Sequence, residues 1–205
     1  MADITIQPTT KDTQDWECQP DINYGGNYRA TPYGYIPFRR NTYWEFDISS
    51  IPAGAVISLA KIKLYCSYLT AGKSYRARRI TGAWVENTET WNNEPAVTET
   101  DGVDLNGPAA LGWYEITITN MVATARGLGT ILGIRISDIT NTSGANDFYT
   151  KEYDDDITKR PKLEISYSIP SGPTKLKTFN GLASAKIKTI NGLEIAKVKT
   201  INGLV

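Results

Sequence analysis

The sequence predicts an all-β fold, an antiparallel jelly-roll-like β-sandwich over residues 1–168 followed by a short β-repeat tail. Three observations predict it. Apolar residues recur with period two in one segment after another, clusters of turn-forming residues separate those segments, and helical periodicity is nearly absent. The composition agrees, with 12 Tyr and 5 Trp but only 2 Met in 205 residues, a bias toward residues that suit a pleated, half-buried surface.

In chain order, the alternation runs through Ile4 and Ile6, then Trp44, Phe46 and Ile48, then Ile62, Leu64, Cys66 and Tyr68. It returns at Tyr114, Ile116 and Ile118, at Leu132, Ile134 and Ile136, and at Leu163, Ile165 and Tyr167. Each series turns one face inward, as expected of antiparallel strands with one wet side. Ile51-Pro52-Ala53-Gly54, Thr70-Ala71-Gly72, Leu105-Asn106-Gly107-Pro108 and Asn141-Thr142-Ser143-Gly144 supply the turns. Only Asn120 to Arg126 has helical character, and Gly127-Leu128-Gly129 reads as its C-terminal cap and turn. Many strands with regular turns fit a Greek-key sandwich or a jelly roll.

A linker over residues 169–174, with Pro170, Gly172 and Pro173, ends the sandwich. Residues 175–205 then repeat every eleven, with Lys-Thr-(Phe or Ile)-Asn-Gly-Leu starting at Lys177, Lys188 and Lys199. Asn180-Gly181, Asn191-Gly192 and Asn202-Gly203 lie between β-formers, the pattern of tight hairpin turns. Three such units bury little by themselves, so ordering is expected to need neighbouring copies or a partner's sheet edge. The assembly candidates are therefore Lys177, Asn180, Gly181 and Leu182, with Lys188, Asn191, Gly192 and Leu193, and Lys199, Asn202, Gly203 and Leu204.

The formal net charge is zero but unevenly spread, because six lysines face only Glu194 beyond position 170. The chain lacks the arginine clusters of a nucleic-acid binder, and no nucleic acid is expected as a partner. No run is long enough for a membrane span, and the first residues lack a basic start with an apolar stretch, so the protein is expected to be made and kept in the cytoplasm. Cys18 and Cys66 fit either one bridge or two buried thiols.

The body carries the phrases Asn23-Tyr24-Gly25, Tyr43 to Ser49 ending Phe46-Asp47-Ile48-Ser49, Ile51-Pro52-Ala53-Gly54-Ala55, and Trp84-Val85-Glu86 followed by Thr90-Trp91-Asn92-Asn93-Glu94-Pro95. Gly112-Trp113, Tyr149-Thr150-Lys151-Glu152 and Arg160-Pro161-Lys162-Leu163 follow in order. Together they resemble the disaggregatase-related DNRLRE domains, a β-sandwich family that shades into the carbohydrate-binding modules. That resemblance implies binding of polysaccharide or a role in adhesion. The Lys-Thr-Ile-Asn-Gly-Leu tail resembles repeats that end some bacteriophage structural proteins. That second resemblance implies a virion component assembled in the host cytoplasm, as a capsid decoration, head fibre or tail-associated protein.

The chain has no His, which removes the commonest general base and the Ser-His-Asp and Cys-His nucleophile arrangements. Glu45, Asp47, Glu86, Glu89 and Glu152 remain as carboxylates for a glycosidase, but no enzyme activity is expected. Tyr24, Tyr28, Tyr33 and Tyr35 lie among Gly25, Gly26 and Gly34, flat amphipathic rings on a flexible backbone suited to stacking on sugars. They are the glycan-site candidate, and the competing expectation is that they cover a sandwich edge. Asp154, Asp155 and Asp156 offer hard oxygen ligands for calcium, against the bland reading of a solvated acidic loop; no other cofactor is expected. Trp84 and Trp91 are assigned to the core or its rim, and Arg76, Arg78 and Arg79 to the wet side of strands.

The leading expectation is a virion protein that displays its sandwich and assembles through its tail, as a homo-oligomer such as a trimer or with other virion proteins. The alternative is a carbohydrate-binding module of a polysaccharide-associated or adhesion protein.

Overall fold

The computed structural model describes residues 1–170 throughout and, beyond them, only the backbone of four two-residue strands. Two compact units are present, Met1–Ser168 and Ile169–Val205. The first contains eleven strands: β1 (Ala2–Ile6), β2 (Lys11–Gln14), β3 (Arg29–Ala30), β4 (Asn41–Asp47), β5 (Val56–Tyr68), β6 (Ser74–Ile80), β7 (Val97–Asn106), β8 (Gly112–Thr117), β9 (Ile131–Asp138), β10 (Asp147–Tyr149) and β11 (Lys162–Ser168). One helix, α1 (Thr119–Leu128), links β8 to β9.

The strands form two antiparallel sheets. In the first, β5 is the axis: β11 and then β10 pair along one edge, β8 along the other, with β1 beyond β11 and β3 beyond β10. The second runs β2-β4-β9-β6-β7. Their facing sides share one core. The first sheet contributes Ile62, Leu64, Cys66, Ile116, Phe148, Leu163 and Ile165, and the second Trp44, Phe46, Tyr75, Ala77, Leu132, Ile134 and Ile136. This is the β-sandwich that the period-two alternation predicts. Met121, Val122 and Ala125 of α1 complete the core, and Arg126 Nε donates to the Ile51 carbonyl at 2.7 Å.

The outer sides of the two sheets differ, and the difference sets where a ligand can bind. Residues 41–46 of β4 are buried on both faces, because the 81–96 segment folds over the second sheet. There Trp84 packs on Tyr43 and Ile80 in a satellite cluster. Asn23 Nδ2 ties the N-terminal loop to that segment through the carbonyls of Glu86 (2.6 Å) and Glu89 (2.7 Å). On the outer side of the first sheet, Lys61, Lys63, Tyr65, Trp113 and Glu115 all reach solvent.

Helix α1 is longer than the predicted 120–126 stretch by a residue at its start and two at its end, and the Gly129 N–H caps it on the Ala125 carbonyl at 2.8 Å. Cys18 and Cys66 are free thiols, one exposed and one buried. Burial pushes the Cys66 thiol up to about 11. Arg76, Arg78 and Arg79 stand opposite the acidic side chains of β7, in ion pairs with Asp104, Glu99 and Asp101.

In the second unit, β12 (Thr178–Phe179) pairs antiparallel with β13 (Leu182–Ala183), and β14 (Thr189–Ile190) with β15 (Leu193–Glu194). Leu182 and Leu193 therefore belong to paired strands. The other assembly candidates, Lys177, Asn180, Gly181, Lys188, Asn191, Gly192, Lys199, Asn202, Gly203 and Leu204, lie outside the described residues.

Candidate functional site

The four loop tyrosines do not form one platform. Tyr24 packs on Trp16 at 6.5 Å between centroids and hydrogen-bonds Gln19. Tyr33 pairs with Arg40 in a two-way backbone bridge, with the Lys73 ammonium 5.7 Å from its ring. Tyr35 stacks on Phe38 at 6.3 Å, with both rings on an exposed loop tip. Tyr28 alone joins a larger aromatic array, in which its ring lies 6.5 Å from Tyr153.

That array crosses the open face of the first sheet. Tyr153 stacks on Tyr149 (3.6 Å, 6° between planes), Tyr149 on Tyr65 (5.6 Å, 12°), and Tyr65 meets the edge of Trp113 (5.5 Å, 83°). Strand register dictates the middle of it. Tyr65 of β5 lies directly opposite Trp113 of β8, and Cys66 opposite Phe148 of β10, so the inward Phe148 leaves its neighbour Tyr149 on the same outer side as Tyr65. Trp113 is 38% and Tyr28 51% exposed, large apolar surface where a strand usually turns polar groups to water.

Cations surround the rings. Arg29 lies 5.0 Å from Tyr28 and 5.9 Å from Tyr149, Lys159 5.1 Å from Tyr65, and Lys162 4.6 Å from Trp113. Beside them Glu115 bridges Lys61 (2.7 Å) and Lys63 (2.8 Å), hydrogen bonds that hold its carboxyl down at about 2. Hydrogen bonding of its O–H to Tyr149, with loss of hydration and the charges of nearby carboxylates, pushes the Tyr153 phenol up to about 12. A shallow depression lined by Asp3, Thr5, Leu59, Lys61, Glu164 and Ser166 lies on the same side of the sheet.

An open sheet face carrying flat rings, ringed by hydrogen-bonding charges, can do one thing well chemically. It can lay the apolar faces of sugar rings on aromatic surface while polar groups take the hydroxyls. A model described as carbohydrate-binding module family 96 matches residues 5–167. The chain belongs to that family. No curated protein matches it.

Family 96 membership makes the body a carbohydrate-binding domain, a class of module that binds without cleaving. The carboxylates considered for catalysis have other surroundings. Glu45 pairs with Lys11, Asp47 accepts from the Ser49 N–H, and Glu86 and Glu152 share Lys151. Glu89 is 2% exposed and sits with Asp15 beneath the 81–96 cover, where a saccharide has no access. Burial raises Asp15 to about 6 and Glu89 to about 8, the latter helped by the charges of Asp15 and Glu94.

Two of the three carboxylates of the acidic run have local partners, and Asp155 is exposed. Asp154 pairs with Arg160, and Asp156 pairs with Lys159 and accepts from the Thr158 N–H at the start of a 3₁₀ turn. Among the described residues, the one group of three acids whose ligand atoms lie within 4.8 Å of one another is Asp12, Glu86 and Glu152. No helix among the described residues is long and apolar enough to cross a membrane.

Tyr65, Trp113, Tyr149 and Tyr153 are not among the site candidates that the sequence singles out. The signal for two of them was present, an aromatic ring at the outward position of a strand whose inward positions are Leu64, Cys66 and Ile116.

Proposed function

We propose that the body is a non-catalytic polysaccharide-binding module whose ligand lies along the strip Trp113–Tyr65–Tyr149–Tyr153–Tyr28. One observation carries the reading: five rings drawn from four separated parts of the sequence meet on a single open sheet face, with cations beside them. Burial of a core does not call for that placement, since all five stand on the far side of the sheet from the shared core. Arg29, Lys159 and Lys162 are the donors for ring hydroxyls or for acidic substituents.

Affinity electrophoresis against neutral and acidic polysaccharides tests the reading, followed by calorimetry on any that bind. Trp113→Ala and Tyr65→Ala should each weaken binding by about tenfold or more, as central aromatic contacts do. Tyr24→Ala and Tyr35→Ala should leave it unchanged. Binding to no polysaccharide, or binding indifferent to both strip variants, would overturn it.

A second reading, compatible with the first, takes the chain as a virion component whose tail assembles with copies of itself or with other virion proteins. The eleven-residue repeat favours it, and it rests on that repeat alone. Mass spectrometry of purified particles should then find the chain, and particles that lack it would sink the idea.

A further inference from the structure

Asp12 is the third point of the three-acid group and the most buried of them, at 1% exposure on β2. Its Oδ2 accepts from the Thr9 hydroxyl and from the Lys151 backbone N–H at 3.0 Å, whereas its Oδ1 has no hydrogen-bond partner. A carboxylate oxygen of Glu152 lies within 4.8 Å of it, and Glu152 Oε2 is likewise buried without a partner. Glu86 completes the group, its Oε1 accepting the Asp12 backbone N–H at 2.9 Å and Lys151 Nζ at 2.5 Å.

The local charge does not balance. Lys151 Nζ is shared between Glu86 and Glu152, and Lys11 nearby is turned to Glu45 and the Trp84 carbonyl. Three carboxylates therefore face one ammonium. Two like charges left over where one carboxylate is buried and the other two half-buried are costly, and burial with the Glu152 charge pushes the Asp12 carboxyl well above its ordinary range. Either a proton or a cation must relieve it. Calcium binds carboxylate oxygens at about 2.3–2.6 Å, so oxygens up to about 5 Å apart can share one ion. The spacing here falls within that reach.

We propose that Asp12, Glu86 and Glu152 form a calcium site that locks together the two loops carrying Tyr28 and Tyr153. The connections run outward from the site. Lys151, bonded to Asp12 through its N–H, follows Thr150, whose N–H and hydroxyl hold the carbonyls of Tyr28 (3.2 Å) and Asn27 (2.6 Å). Glu152 precedes Tyr153 directly. Glu86 lies against Gly25, where a Cβ would meet its carbonyl oxygen at 2.8 Å. A cation joining the three acids thus fixes one end of the aromatic strip, and that part of the inference rests on the polysaccharide reading above.

The test uses the full chain stripped with a chelator and titrated with calcium chloride, followed by thermal unfolding and calorimetry. Near-saturating calcium should raise the unfolding midpoint by roughly 5 °C, as a ligand held only by the folded state does. Asp12→Asn and Glu152→Gln, near-isosteric and able to fold without the cation, should lose the shift and the heat of binding. Asp154→Asn and Asp155→Asn should keep both. No shift in the wild type, or a shift lost only in the acidic-run variants, overturns the site. If calcium binds at Asp12 but polysaccharide affinity does not rise by about fivefold, the modest end of ordinary coupling between sites, the link to the strip fails while the site stands. If the protein binds calcium but no polysaccharide, the polysaccharide reading fails and the site again stands.

Discussion

Tyr149 lies flat against Tyr153, ring centroids 3.6 Å apart and planes 6° from parallel, and this contact joins a sheet residue to a loop residue. It welds the β10 part of the strip to the Tyr153 loop, against which Tyr28 packs. Removing the Tyr149 ring should therefore do more than remove one sugar contact. Tyr149→Ala should weaken polysaccharide binding by more than Tyr28→Ala, and Tyr149→Phe should preserve it. In Tyr149→Phe the Tyr153 phenol, raised to about 12 chiefly by its hydrogen bond with Tyr149, should also titrate lower. Tyrosinate absorbance during an alkaline titration measures this. An unmoved Tyr153 titration would contradict the pairing.

The second sheet's cover should make stability depend on pH. Asp15 and Glu89 hold their protons to about 6 and about 8, whereas in the unfolded chain they ionise near their ordinary 3.8 and 4.5. Above pH 4.5 the unfolded state has therefore released protons that the folded state keeps. The stabilisation is full in acid and is lost as pH rises through 6 and then 8. The unfolding midpoint should fall between pH 5 and pH 9, and Glu89→Gln should flatten the upper part of that fall. A midpoint that rises over this range, or a slope untouched by Glu89→Gln, would count against the assignment.

How much of this was legible in the sequence follows from what each strand buries. β5, β8, β9 and β11 bury apolar residues at alternate positions, and the alternation announces them, except that Tyr68 at the end of the β5 series is 58% exposed where the pattern turns it inward. β2 reads Lys-Asp-Thr-Gln and looks like a loop, yet Asp12, Thr13 and Gln14 are buried. Thr9 and Lys151 donate to Asp12 Oδ2, and the Thr31 N–H donates to Gln14 Oε1. No periodicity scan reveals a strand buried through its polar groups. The aromatic strip was hidden for another reason. Tyr28, Tyr65, Trp113, Tyr149 and Tyr153 meet only because β8 and β10 flank β5, whereas the tyrosines adjacent in sequence diverge to separate supports.

Buried charge should matter more than surface charge here. Lys73 Nζ faces Asp138 Oδ2 at 3.2 Å with both side chains almost wholly inaccessible, and it also donates to the Thr142 carbonyl at 2.8 Å. Lys73→Met would leave Asp138 charged, buried and unpaired, a change that costs about 3–5 kcal/mol. Arg76→Met breaks an exposed, solvent-screened pair with Asp104 and should cost far less. Chemical denaturation of both variants gives the comparison, and equal losses would refute the argument.

Gly25 and Gly26 should respond oppositely to the same substitution. A Cβ on Gly25 would meet the Glu86 carbonyl oxygen at 2.8 Å and Glu86 Cγ at 2.9 Å, whereas one on Gly26 would meet nothing within 4 Å. Gly25→Ala must push the Tyr28 loop off the 81–96 segment, and overpacking of that kind costs about 1–3 kcal/mol. Gly26→Ala should be neutral or slightly stabilising. Denaturation midpoints of the pair decide it, and a neutral Gly25→Ala would mean that the loop is not pressed against Glu86.

We propose that the tail serves assembly and not the folding of the sandwich. The sandwich core is built from residues before Ser168, so a chain ending there should unfold at the full-length midpoint and bind polysaccharide equally well. In the repeats, Phe179 pairs with Leu182 and Ile190 with Leu193. A lone two-stranded hairpin is marginal in water, and short repeat units gain stability by stacking on neighbours. If the repeats serve assembly, the full-length protein should sediment as an oligomer and the truncated one as a monomer with an unchanged binding isotherm. A monomeric full-length chain across a wide concentration range would remove self-assembly from the account, leaving docking to a different protein as the role of the repeats. Lysine-to-glutamate changes at Lys177, Lys188 and Lys199 should then weaken that docking if the partner surface is acidic, as the basic tail suggests.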